Sequence, residues 1–313
     1  MGDTPPLLSP AWTGPEGGRL AWVTTRDGQR LRAGLWEGTG RGTVLLLNGR
    51  TEYIEKYGRE IARLTAQGWS VLTLDWRGQG LSGRSLPGRS IGYVTDFSVY
   101  QDDLNAVRNA FGWDSLPQPR VLIAHSMGGC LGLRALVNGL DVAAAVFSAP
   151  MWGIEFGHIN RLAPYILSGG TALGLGKRFA PGSGDTTYVM ANRFEGNTLT
   201  SDPDEYARFQ RNIRACPDLS LGGPSFAWVN AALDEIAALR AAPAPTCPIL
   251  VLLGTAEAVV NPVGIRQMAA RLPSVKLLDL PGARHEVLME APHIRAAVWE
   301  AIDSHLDLAL GPA

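Results

Sequence analysis

Residues 121–137 read Val-Leu-Ile-Ala-His-Ser-Met-Gly-Gly-Cys-Leu-Gly-Leu-Arg-Ala-Leu-Val, and this stretch decides the fold. Val121–Ala124 is an apolar run of strand length, and 127–137 carries helical spacing closed by Asn138-Gly139. Ser126 sits where one gives way to the other. A serine on such a sharp turn projects its hydroxyl above the strand ends, and small residues two before and two after let strand and helix pack closely. Gly128 meets that need; Ala124 stands where glycine is usual, one methyl larger. A helix starting at Ser126 puts its positive end under the hydroxyl, which favours an anionic intermediate. The plain alternative is an N-cap serine with no chemistry. The strand before and the helix after favour a nucleophile.

Outward from this point the same rhythm repeats. Leu20–Thr25 and Arg30–Trp36 flank Asp27-Gly28, a hairpin signal. Strand-length runs follow at Thr43–Leu47, Val71–Leu74, Ala143–Phe147, Ile249–Leu253 and Val275–Leu280, with helical spacing between them. Short apolar strands alternating with helices mean a mostly parallel sheet covered on both faces, an α/β fold. The alternation stops after Pro150 and resumes near residue 245. The expected organisation is therefore a core from 1–150 and 245–313, with 151–244 inserted as a cap.

Composition narrows the class. The 313 residues are 46% hydrophobic and 18% charged, enough for a full core. Lys and Arg total 28 against 29 Asp and Glu, a net charge of −1, so charge gives no reason to expect nucleic acid. Cys130, Cys216 and Cys247 form neither a disulfide framework nor a zinc pattern. The first 18 residues lack the basic and apolar regions of a signal peptide, and no apolar run approaches the ~18 residues of a membrane span. A cytoplasmic location is expected, with transient membrane contact left open and oligomeric state undetermined.

A serine nucleophile needs a base. Of five histidines, His285 lies in Pro281-Gly282-Ala283-Arg284-His285-Glu286, directly after the last strand. His125 neighbours the nucleophile and is expected to face away, His158 falls in the insertion, and His293 and His305 belong to the last helix. Glu257 is the carboxylate of the loop after Ile249–Leu253, placed to orient His285; Asp279 is the fallback. Attack on a carbonyl also needs prepared N–H donors. Met127, just after the nucleophile, supplies one. Arg50, in Asn48-Gly49-Arg50-Thr51-Glu52 after an early strand, supplies the other.

Four segments together resemble the monoacylglycerol lipase and lysophospholipase branch of the α/β hydrolases, grouped with the serine aminopeptidases. NGRTEYIEKYGR resembles that family's HG-x-x-E segment, DWRGQGLSGR its D-x-R-G-x-G-x-S segment, AHSMGG its GHSMGG, and PGARHEVLME its histidine loop. Two positions depart: Asn48 replaces a histidine, and the acid is Glu257 rather than Asp. The resemblance implies cofactor-free, metal-free hydrolysis of single-chain acyl esters, small-molecule monoglycerides or lysophospholipids, through an acyl-enzyme. Trp152, Ile154, Phe156 and Trp228 are candidate acyl-chain contacts. Arg208, Arg211 and Arg214 recur every three residues and read as a solvated helix face. A proline-type aminopeptidase and perhydrolysis are alternatives that use the same machinery. A ligand-binding protein on the same fold is the alternative from another class.

Overall fold

A computed structural model describes residues 4–157 and 162–311. Eight strands form one sheet: β1 Arg19–Thr24, β2 Arg30–Trp36, β3 Gly42–Leu47, β4 Trp69–Leu74, β5 Arg120–His125, β6 Ala144–Ser148, β7 Ile249–Gly254 and β8 Val275–Leu280. Their order is β1-β2-β4-β3-β5-β6-β7-β8. β1 and β2 pair antiparallel, as do β2 and β4; all other pairs are parallel. β3 through β7 are buried along their whole length, which explains why they read as unbroken apolar runs rather than alternating ones. The expected α/β architecture is thus present, with each strand within a residue or two of its expected place.

Register sets up the site. Leu47 pairs with Ala124, and His125 with Ser148, so β3, β5 and β6 end at nearly one level. Ligands of parallel sheets collect beyond such carboxyl ends. Helices α1 Gly58–Ala66, α2 Ser98–Phe111 and α3 Met127–Val137 follow the early strands. Between β6 and β7, where a cap is expected, the described residues form α4 Ala163–Ala172, α5 Tyr188–Ala191, α6 Pro203–Ala215 and α7 Phe226–Ala241, with no strand. α8 Pro262–Ala269 and α9 Pro292–Leu310 complete the chain. No helix among the described residues is long and apolar enough to cross a membrane.

The three cysteines are free; two are buried and Cys247 is half-buried. The arginine stripe of α6 is not uniformly solvated. Arg211 and Arg214 are exposed, but Arg208 is buried, bonded to Glu205 at 2.8 Å and to the Lys56 carbonyl at 3.1 Å. A three-residue spacing on a helix drifts around its axis, so the first arginine of the row faces inward while the others do not.

Candidate active site

Ser126 has φ 52° and ψ −118°, a left-handed backbone that non-glycine residues rarely adopt. Such a conformation costs roughly 1–3 kcal/mol and persists only where its surroundings hold it. Here the Ser126 N–H donates to the Ser148 carbonyl at 3.0 Å, and the Ser126 carbonyl accepts from Gly129 at 2.9 Å and Met151 at 2.8 Å. A Cβ on Gly128 would run into the Leu47 and Asn48 carbonyls, so only glycine lets α3 lie this close to the end of β3. The extra methyl of Ala124 is accommodated because α3 carries Gly132 opposite it. A Cβ at 132 would stand 3.3 Å from the Ala124 methyl and 3.1 Å from Leu122. The Ser126 side chain makes no capping bond to α3, which removes the plain N-cap explanation.

Its hydroxyl oxygen instead lies 2.9 Å from His285 Nε2, and His285 Nδ1 lies 2.8 Å from Glu257 Oε2. The other oxygen of Glu257 accepts the Val259 and Val260 N–H groups at 2.6 and 3.1 Å, which fixes the carboxylate's direction. All three side chains are buried. Burial disfavours the His285 imidazolium, but the adjacent Glu257 carboxylate outweighs it, and His285 is held above the ordinary imidazole value. Burial likewise raises Glu257, but His285 and the two backbone donors outweigh it and bring the carboxyl below its ordinary value. Asp279 is exposed and bonded to Arg266 at 2.5 Å, away from His285.

The turn after β3 lies against Ser126: a Cβ on Gly49 would be 3.1 Å from that of Ser126. The Gly49 N–H donates to the Glu52 carboxylate, and the Thr51 N–H donates to Gln79 Oε1 at 2.7 Å. Asn48, at the family's histidine position, donates to the Leu74 carbonyl at 2.8 Å and accepts from Trp76 Nε1 at 3.0 Å. That departure therefore leaves the turn anchored to β4. Met127, buried, opens α3 beside the same turn.

Sequence reading missed a buried polar wall beside these groups. Lys56 bonds both the Glu52 carboxylate and Glu286, the latter at 2.7 Å, and the Tyr57 hydroxyl donates to Glu52 at 2.6 Å. Burial opposes the Lys56 charge, but the two carboxylates outweigh it and hold the amine above its ordinary value. His125 does not face away as expected. Its ring centroid is 4.8 Å from that of His285, its Nδ1 is 3.0 Å from the Ser148 carbonyl, and its Nε2 is 3.5 Å from Glu286. The left-handed turn at 126 interrupts strand alternation, so His125 and Ser126 both face the sheet's end. Burial pushes His125 down to about 3, so its ring is neutral at physiological pH. Glu52, His125 and Glu286 bring ligand atoms within 4.8 Å of one another, an arrangement that suits a cation. The Lys56 ammonium already serves as that cation. The signal for this wall was present as Glu52 and Lys56 one helical turn apart and Glu286 next to His285.

Ser126, His285, His125, Glu52, Lys56 and Glu286 line a cavity of about 510 Å³, whose apolar side includes Met151, Leu199, Phe209 and Val260. Of the candidate chain contacts, Ile154 and Trp228 line it. Trp152 is instead fully buried beneath, bonded to the Gly129 carbonyl at 3.3 Å and packed edge-on against Phe147. Phe156 is half-buried and lies outside the lining. His158 is outside the described residues, His293 is exposed, and His305 is half-buried on α9.

Residues 38–292 match the family described as serine aminopeptidase, S33. A probable lysophospholipase L2 of Haemophilus influenzae is 31% identical over 87% of this chain and 86% of its own length. Lysophospholipase L2 of Escherichia coli K12 is 32% identical over 83% of this chain and 78% of its own. A monoacylglycerol lipase of Mycolicibacterium smegmatis is 28% identical over 80% and 83%. In structure, a soluble variant of Saccharomyces cerevisiae monoglyceride lipase, solved with a substrate analog, superposes with a TM-score of 0.72 at 23% identity, covering 94% of this chain and 97% of that one. With the family match spanning most of the sheet and every loop of the site, this chain belongs to the serine aminopeptidase S33 family of α/β hydrolases.

Proposed function

We propose that this chain is a carboxylic ester hydrolase that cleaves single-chain acyl esters of the monoacylglycerol or lysophospholipid type. The observation that carries this reading is the unbroken run of hydrogen bonds from Ser126 through His285 to Glu257, opening into an apolar-walled cavity. In it, Ser126 attacks the ester carbonyl while His285 Nε2 takes its proton, and Glu257 stabilises the imidazolium. The oxyanion rests on the N–H groups of Met127 and Arg50. The N–H groups on either side of Arg50 are already committed to Glu52 and Gln79, which leaves its own for the substrate. His285 then protonates the leaving alcohol and activates a water that releases the acyl group. The chemistry needs no metal or organic cofactor, and the partner is a small ester rather than a nucleic acid. The helical stretch 151–244 acts as the cap over this site, and a cytoplasmic setting belongs to the same reading.

The relatives' names support the ester and lipid side of this proposal. An aminopeptidase would need a free carboxylate for the substrate's amine, and the two in the cavity wall are already bonded to Lys56. The test is a series of p-nitrophenyl esters of rising chain length beside monoacylglycerol and lysophosphatidylcholine, with fluorophosphonate labelling of wild type and Ser126→Ala. Labelling abolished by the substitution and turnover that rises with chain length are expected. Turnover confined to acetate and butyrate, or release of prolyl-naphthylamide, would overturn the lipid reading.

A further inference from the structure

The proposed function leaves open what distinguishes a neutral glyceride from a phosphate-bearing one. Two cations line the cavity among the described residues, Lys56 and Arg50. Lys56 is matched by two carboxylates. Arg50 is not paired with any carboxylate among the described residues. Its guanidinium donates to the Gly222 carbonyl at 2.8 Å and lies 5.1 Å from the Trp228 ring centroid, and its Nε is buried without an acceptor. It is pressed flat on the backbone at Gly92, where a Cβ would stand 2.6 Å from its Nη2. The buried arginines are met by carboxylates: Arg32 by Glu55 and Asp75, Arg77 by Asp27 and Asp103, and Arg208 by Glu205. Arg84, half-buried like Arg50, also bonds only carbonyls among the described residues, but it lies outside the cavity. Burial lowers Arg50 to about 10, which still leaves it charged at neutral pH.

Arg50 is half-buried, so a cation that lines the cavity without a counter-charge can be completed by an anion that arrives with the ligand. We propose that the Arg50 side chain reads the phosphate of a lysophospholipid whose acyl carbonyl lies at Ser126. A guanidinium makes charge-assisted hydrogen bonds to phosphate oxygens, whereas the alcohol of a monoacylglycerol offers no charge to meet it. One residue then serves both ends of the headgroup, its backbone N–H at the ester carbonyl and its side chain at the phosphate. Trp228 and the Gly222 carbonyl hold that side chain in place, so α7 and the loop before it take part in headgroup choice.

This inference rests on the proposed Ser126 chemistry, and the experiment separates the two. With one acyl chain throughout, kcat/KM is measured for monopalmitoylglycerol, palmitoyl-lysophosphatidylglycerol and palmitoyl-lysophosphatidylcholine on wild type, Arg50→Gln and Arg50→Lys. Since the backbone of residue 50 is placed at the oxyanion, the readout is the ratio of phosphate-bearing to neutral substrate. In Arg50→Gln that ratio should fall about ten- to a hundredfold for both lysophospholipids, mainly through KM, and Arg50→Lys should recover part of it. An equal fall for all three substrates overturns the proposal and leaves Arg50 as an anchor of the turn. A fall for lysophosphatidylglycerol alone also overturns it, in favour of long-range attraction to net charge. Wild-type turnover of a neutral p-nitrophenyl ester supplies a measurement that needs no variant. Glycerol 3-phosphate should inhibit it where glycerol does not, and equal effects of the two count against phosphate recognition. Turnover that survives Ser126→Ala would instead sink the underlying mechanism.

Discussion

Glu52 and Glu55 lie three residues apart, both buried, and they do opposite things. Glu55 grips Arg32 through both oxygens at 2.7 Å, while Asp75 holds the same guanidinium at 2.8 Å and accepts the Ile54 and Leu81 N–H groups. That cluster is closed, with the ionic groups fully buried. Glu52 belongs to a group that ends on the cavity: it holds Gly49, Tyr57 and Lys56, and Lys56 reaches Glu286 beside His285. The difference teaches how one short segment divides its charges. A closed cluster fixes the path of the chain, whereas an open one sets the field around Ser126 and His285.

The comparison breaks most visibly at Ser126. Ser126→Ala should lower kcat by about 10⁶-fold, with the urea midpoint unmoved, because the hydroxyl's only described partner is His285. Glu257→Gln should cost about 10⁴-fold. It also tests the electrostatics. Wild-type kcat/KM should rise with pH through a His285 value above the ordinary imidazole value of about 6.5, since only the neutral ring is a base. Without the Glu257 charge the burial effect prevails, so the limb of the residual activity should move to lower pH. An unmoved limb would show that another carboxylate sets it.

The closed cluster should respond the other way round. Glu55→Gln leaves Arg32 with half its counter-charge and should cost about 3–5 kcal/mol of stability by urea unfolding. The kcat of the folded fraction should stay the same. A large loss of kcat there would mean that the two clusters are coupled through residues 52–56. The smallest effect is expected for Asp279→Asn, which removes an exposed pair with Arg266. Stability should change by less than about 1 kcal/mol, and kcat/KM not at all. A large kinetic effect would return Asp279 to the role assigned to Glu257.

Much of the site is local in the chain and so was readable from it. Ser126 is marked by a strand, a turn and a helix within 17 residues, and His285 and Glu257 by loops that follow apolar strands. What escaped depended on contacts between distant segments. The inward turn of His125 needs the backbone angle at 126, and the Lys56–Glu286 pair joins residues 230 apart. Trp152 illustrates the same limit. It looks like a chain contact by type and position, yet its indole is used to bond the Gly129 carbonyl beneath the site.

The hydrogen bond from Met151 to the Ser126 carbonyl has one more consequence. Residue 151 is where the helical stretch leaves β6, and three residues later Ile154 pairs with Val260 while Asn261 N–H donates to the Gly153 carbonyl at 3.1 Å. The departing chain is thus stitched first to Ser126's own peptide and then to the loop that carries Glu257. A pivot nearer the sheet than residue 154 would shift the Ser126 oxygen and Glu257 relative to His285, so any movement of this stretch that keeps their hydrogen bonds begins beyond it.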